Sequence, residues 1–125
     1  MIHGIGTDIL NIQTIAPSVA DRSDPFVRKT YTEKELELID SRPLPLYCFA
    51  TRFAGKEAVF KAFGVHGDAF RLKDIEILED ESGVPQVFLH GKAAALAEEM
   101  GLTRIMISLS YDTDYAAAFA CICAE

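Results

Sequence analysis

Residues 52–64 read Arg52-Phe53-Ala54-Gly55-Lys56-Glu57-Ala58-Val59-Phe60-Lys61-Ala62-Phe63-Gly64, and this stretch decides the fold. From Leu46 onward no proline interrupts it, and Gly64 supplies the stop that glycine gives just past a helix end, so a helix is predicted over 46–63. At about 100° per residue, Phe49, Phe53, Phe60 and Phe63 line one face of that helix. Lys56 projects into the middle of this aromatic stripe. Arg52 lies one turn earlier on its flank, and Glu57 with Lys61 lies on the other. A helix that merely faced a core would not carry a lysine there, because burying an unpaired charge is costly. The pattern predicts a charged cleft beside an apolar wall.

Working outward, Ile2 to Leu10 is apolar apart from His3, Thr7 and Asp8, and reads as a strand with one carboxylate near its end. Pro25 to Lys29 suggests a short helix. Thr32 with Glu35 makes a capping-box pattern that starts a helix over 33–40. Pro43 and Pro45 are expected to exclude regular structure between that helix and the charged one. Beyond Gly64, Ile75 and Ile77 mark a strand, Glu81-Ser82-Gly83 a turn, and Gln86 to His90 a returning strand. Lys92 to Met100 is alanine-rich and helical up to Gly101. Arg104 to Ser110 and Tyr115 to Cys123 close the chain as two strands joined at Asp112-Thr113-Asp114. Strands interleaved with helices and tight hairpins indicate an α+β fold with a mostly antiparallel sheet packed against helices, in one domain spanning 1–125.

The composition narrows the function classes. Half of the 125 residues are apolar, enough for a real core. The net charge of −7 argues against nucleic-acid binding, which needs clustered Lys and Arg, and against a basic membrane-surface helix. No run of about 18 apolar residues exists to span a bilayer. The N-terminal residues lack the basic-then-apolar pattern of a signal peptide. Cys48, Cys121 and Cys123 fit reduced thiols of a cytoplasmic protein.

Several side chains are candidates for chemistry, each with a plainer reading beside it. Glu57 and Lys61 stand i, i+4 in the favourable order, which also describes a surface pair worth about 0.3–0.5 kcal/mol. Lys56 could lay its stem on the phenylalanines and reach water. Asp8 with Glu57 would suit Mg²⁺, which takes oxygen ligands and often shares a ligand phosphate. Asp8 alone equally suits a helix cap. Gly64-Val65-His66-Gly67 would let backbone approach a phosphate closely. His3, His66 and His90 show no metal-ligand spacing and read as structural or exposed.

Four segments in register resemble the holo-acyl-carrier-protein synthase family. They are Gly4-Ile5-Gly6-Thr7-Asp8-Ile9, the stretch from Arg52 to Gly64, Asp74-Ile75-Glu76-Ile77 with Gly83-Val84-Pro85, and Ile107-Ser108-Leu109-Ser110 with Tyr115-Ala116-Ala117-Ala118. The resemblance implies a half-size 4′-phosphopantetheinyl transferase fold, assembled as a homotrimer with active sites between subunits. It implies transfer of phosphopantetheine from coenzyme A to a serine of an acyl carrier protein, with Mg²⁺ held by Asp8 and Glu57. Lys61 would sit by the phosphates. Arg52, Lys56, Gly64, Gly67, Ser110 and position 111 would seat the nucleotide, and Glu57 would take the serine proton.

Three positions depart from the family pattern. Tyr111 stands where histidine is usual, Asn11 where an acidic residue is common, and Thr14 where an arginine commonly meets the carrier. Arg22, Arg28, Lys29 and Lys34 are the remaining basic cluster for an acidic partner. The departures motivate one competing reading, a family member that binds coenzyme A or a carrier without efficient transfer.

Overall fold

The first strand, β1 (Ile2–Asn11), alternates by size: Gly4, Gly6 and Asp8 face inward while Ile5, Thr7 and Ile9 face out. The computed structural model describes residues 1–125. The chain continues through α1 (Ile12–Val19), α2 (Pro25–Thr30), α3 (Glu33–Asp40) and α4 (Pro45–Phe63). A short 3-10 turn at 72–74 leads into β2 (Ile75–Glu79) and β3 (Pro85–Leu89). Then come α5 (Gly91–Glu99), β4 (Leu102–Tyr111) and β5 (Tyr115–Ala124).

Both sheets are antiparallel, as the sequence predicted. β1, β5 and β4 lie side by side in that order, and β2 pairs with β3 as a separate hairpin. The inner face of β5 presents Ala116, Ala118, Ala120 and Ile122, all buried. Together with Gly4 and Gly6 they form a smooth surface on which α4 lies. The approach is so close that a Cβ on Gly6 would stand 2.0 Å from the Ala58 carbonyl oxygen, and one on Gly4 2.1 Å from that of Ala62. β2, α1 and α3 pack around the remainder of α4.

The predicted capping box at α3 is present, with Thr32 and Glu35 satisfying each other's backbone N–H groups. One boundary and one element differ from expectation. Pro45 opens α4 at its first position, where the missing N–H has no intrahelical partner to lose. α1 was not foreseen. Asn11 caps it by accepting from Gln13 N at 3.1 Å, and Pro17 lies inside it.

Candidate active site

α4 and β1 bring the predicted acidic pair together. The close packing at Gly4 and Gly6 lays β1 along the helix, and Asp8, the next inward residue, arrives beside Glu57 and Lys61. Lys61 Nζ lies 3.1 Å from Asp8 Oδ1 and 3.0 Å from the Thr7 carbonyl oxygen. The i, i+4 pairing of Lys61 with Glu57 is therefore not the contact made; the lysine reaches across to β1. Burial raises the Glu57 carboxyl above its ordinary range, the Asp8 charge raises it further, and Lys61 opposes both.

A cleft of about 380 Å³ opens over this cluster, lined by Glu57, Phe60, Lys61, Gly64, Val65, His66 and Gly67. Gly64 and Gly67 have φ of 76° and 59°, left-handed values that suit glycine, so the loop turns tightly and keeps its backbone near the cleft. His66, read from the sequence as structural or exposed, lines this cleft. A smaller recess lined by Glu57, Phe60, Gly67, Phe70 and Leu72 continues it.

No three His, Cys, Asp or Glu side chains converge on one point anywhere in the chain. A cation here would take two carboxylates from the protein and complete its shell with water and ligand oxygens, which is the manner of Mg²⁺. The mutual repulsion of Asp8 and Glu57, only partly relieved by Lys61, is the electrostatic condition that a dication would satisfy. The residues present fit the ion.

Lys56 is a correction. It faces neither a cleft nor water: Lys56 and Glu35 are both fully buried, with Nζ to Oε1 at 2.8 Å. The ammonium also donates to the carbonyls of Leu72 and Ile75. With its donors committed inside the core, it does not reach a bound nucleotide. Burial lowers its pKa, and Glu35 opposes the shift.

Arg52 lies elsewhere again. Five residues separate it from Glu57, which on a helix is about 140° of rotation and 7.5 Å of rise. It lines a second cavity of about 340 Å³ with Arg42, Pro43, Leu44, Tyr47, Cys48, Thr51, Glu79 and Tyr111. Arg52 Nη2 lies 2.9 Å from Glu79 Oε2, and Arg42 pairs with the other oxygen of that carboxylate. Arg52 Nε is buried with no acceptor. Tyr111 stacks on Tyr47, ring centroids 5.0 Å apart. Ser110 is exposed on the outer face of β4, opposite Ala117 of β5. Within one chain, then, Glu57, Lys61, Gly64 and Gly67 share one cleft, with Asp8 bonded to Lys61, while Arg52 and Tyr111 share another. Arg42, Tyr47 and Glu79 joined the second cleft without any sequence signal.

A family model described as the 4′-phosphopantetheinyl transferase superfamily matches residues 4–120. A holo-[acyl-carrier-protein] synthase of Clostridium acetobutylicum is 38% identical over 120 residues, which cover 96% of each chain. The crystal structure of the Neisseria meningitidis holo-[acyl-carrier-protein] synthase superposes with a TM-score of 0.86 at 33% identity, covering 98% of both chains. A Chronobacterium ammoniagenes ACPS–CoA complex superposes with a TM-score of 0.85 at 26% identity, covering 98% of this chain and 97% of that one. The chain belongs to the holo-[acyl-carrier-protein] synthase family of the 4′-phosphopantetheinyl transferases.

Proposed function

We propose that this chain transfers the 4′-phosphopantetheine group of coenzyme A to a serine of an apo-acyl carrier protein in a Mg²⁺-dependent reaction that releases 3′,5′-ADP. The observation that carries the proposal is the Lys61–Asp8 ion pair, close enough for the Asp8 charge to act on Glu57, which lines a glycine-bordered cleft together with Lys61. Names of relatives and the coenzyme A bound to the Chronobacterium enzyme support the substrate pair.

Asp8 and Glu57 would hold Mg²⁺, which supplies neutralising charge to diphosphate oxygens. Lys61 adds a mobile cation at the same place. The serine oxygen forms a bond to the β-phosphorus as the bond to the ADP oxygen breaks. Glu57 receives the serine proton, directly or through water. Phe60 and Val65 present an apolar wall that limits water at the reacting atoms.

Arg52 and Tyr111 are proposed to seat the nucleotide from a neighbouring subunit, since they open onto a different cleft of their own chain. Tyr111 offers a ring to stack and one hydrogen bond where histidine would offer a charge. A homotrimer is supported by the outer face of the three-stranded sheet, where Ile5, Ile9, Met106 and Phe119 are exposed. For the carrier, Arg28 and Lys29 are exposed at the end of α2, and Lys73 donates to the Arg28 carbonyl at 2.9 Å. That places three cations on one surface near Leu72, which borders the Glu57 recess. Arg22 is committed to Asp40 and contributes less. A cytoplasmic location is proposed on three free cysteines. No helix is long and apolar enough to cross a membrane.

The test is mass spectrometry of apo-carrier incubated with the protein, coenzyme A and Mg²⁺. The wild type is expected to add phosphopantetheine, and Glu57→Gln to lose at least about a hundredfold in rate, the range for a general base. Carrier left unmodified by the wild type across several candidates would overturn the transferase reading in favour of a binding protein. Near-normal turnover by Glu57→Gln would remove that side chain from the mechanism.

A further inference from the structure

α4 is buried on nearly every side, with Cys48, Phe49, Ala50, Ala54, Gly55, Ala58, Val59, Ala62 and Phe63 all in the interior. Its sheet-facing surface is mostly Ala and Gly, and it lies on Gly4, Gly6, Ala116, Ala118 and Ala120. Two smooth surfaces of this kind bury the same apolar area over a range of helix rotations. On the sheet side, hydrophobic burial fixes that the helix is inside but not its rotation, which is left to the phenylalanines of the opposite face and to directional contacts. Rotation matters to the chemistry. Glu57 reaches about 6 Å from the helix axis, so a turn of about 20° carries its carboxylate about 2 Å. A pair of carboxylates that must share one ion does not tolerate such a shift.

The directional contacts on α4 are Tyr31 Oη donating to the Phe49 carbonyl at 2.8 Å, the Arg52–Glu79 and Lys61–Asp8 pairs, and the bonds of Lys56, which are buried, most numerous and next to Glu57 in the chain. Lys56, the residue before Glu57, donates to Glu35 Oε1 at 2.8 Å, to the Leu72 carbonyl at 3.2 Å and to the Ile75 carbonyl. Glu35 in turn accepts from Ile77 N at 2.8 Å and Thr32 N at 2.9 Å. These bonds tie α4 at one azimuth to α3, the 72–74 turn and β2. A buried ion pair is a poor device for stability alone, because apolar residues of similar volume often do as well or better. It is a good device for specifying one geometry among several of similar energy.

We propose that Glu35 and Lys56 are positioning residues for the reaction: their buried bond fixes the rotation of α4 so that Glu57 converges with Asp8. The proposal rests on the reading of Asp8 and Glu57 as the metal pair. Lys56 touches no substrate and acts only through its neighbour.

The experiment compares wild type with the double variant Glu35→Leu/Lys56→Met. Three quantities are read: thermal melting, binding of Mn²⁺ alone by electron paramagnetic resonance, and kcat with KM for coenzyme A. The double variant leaves no charge unpaired but deprives Ile77 N and Thr32 N of their acceptor, so it is expected to fold with a lowered melting temperature, and the other two quantities are read well below that temperature. Its Mn²⁺ affinity and kcat are each expected to fall by about tenfold or more, the effect typical of losing an outer-shell partner. A merely structural role would lower the melting temperature and leave Mn²⁺ affinity and kcat intact in the folded variant, and that result overturns the proposal. If this pair does not fold, Glu35→Gln/Lys56→Met keeps an amide oxygen for Thr32 N and is read the same way. A wild type that neither binds Mn²⁺ nor transfers would overturn the metal-site reading itself, a result separable from a wild type and a variant that work equally well.

Discussion

Glu76 illustrates how a single side chain in this protein is held charged against its surroundings. Burial opposes ionisation of its carboxyl, yet the Thr32 hydroxyl at 2.5 Å and His90 Nε2 at 3.1 Å outweigh burial, with the His90 and Lys34 charges adding to them. Its folded pKa consequently lies below the ordinary glutamate value. A depressed carboxylate contributes stability that is present above the unfolded-state pKa, about 4.3, and is lost as pH falls through the folded value. His90→Ala removes one of the two hydrogen bonds and raises the folded pKa toward the unfolded one. It is expected to cost about 1–2 kcal/mol near neutrality and to move the acid-unfolding midpoint, followed by circular dichroism, to higher pH. An unmoved midpoint would mean that Thr32 alone sustains the charge. The neighbouring Lys56 shows what single-residue reading can and cannot deliver. That a lysine sits in an aromatic stripe was plain from spacing alone. Whether it looks out at a ligand or inward at a carboxylate depends on Glu35, 21 positions away on another helix, and periodicity carries no such information.

Among the elements, the pairing of β1 with α4 does most to build the site, and glycine makes it possible. A Cβ on Gly6 would collide with backbone atoms, Ala58 O at 2.0 Å and Ala62 N at 2.9 Å, neither of which has a rotamer to yield. Gly6→Ala must therefore lift the strand, and Asp8 with it. The expected cost is about 2–3 kcal/mol of stability, seen as a drop of several degrees in melting, together with a loss of Mn²⁺ binding out of proportion to that drop. Wild-type metal affinity in Gly6→Ala would show that Asp8 does not depend on this contact. The strands and four of the five helices were legible because their signals are local: alternation, the Thr32 capping box, Gly64. The helix α1 was not, because an internal Pro17 and a length of eight residues imitate a loop. Asn11, which occupies a position where an acid was expected, spends its side chain on capping that helix.

At the scale of the whole molecule, the two clefts of one chain pose a geometric problem that assembly would solve. Arg52 and Lys61 are nine residues apart on α4, about 180° of rotation, so they face opposite sides of one cylinder. Neither cleft alone combines the carboxylate pair with the Arg52–Tyr111 wall. The outer sheet face meanwhile exposes cross-strand rows of Ile5, Cys121 and Met106, then Thr7, Phe119 and Ser108. Ile5 is 60% exposed, Ile9 70% and Phe119 47%, an apolar area of the kind that subunits cover. Spacing could not reach this level, because residues on another copy leave none to detect, and only the family resemblance implied sites between subunits. If neighbouring copies each lend one half, two crippled chains should repair each other. Glu57→Gln and Arg52→Ala, each with little activity alone, are expected to regain transfer when co-expressed, since in a mixed ring about one site in four draws both intact halves by random assembly. Phe119→Asp places a charge in the centre of the sheet face and is expected to give folded monomers, seen by sedimentation, that neither transfer nor complement. Mixed oligomers with no more activity than their parents would put Arg52 and Glu57 in the same subunit's site, and the opposed faces of α4 would then have to be bridged by the substrate itself.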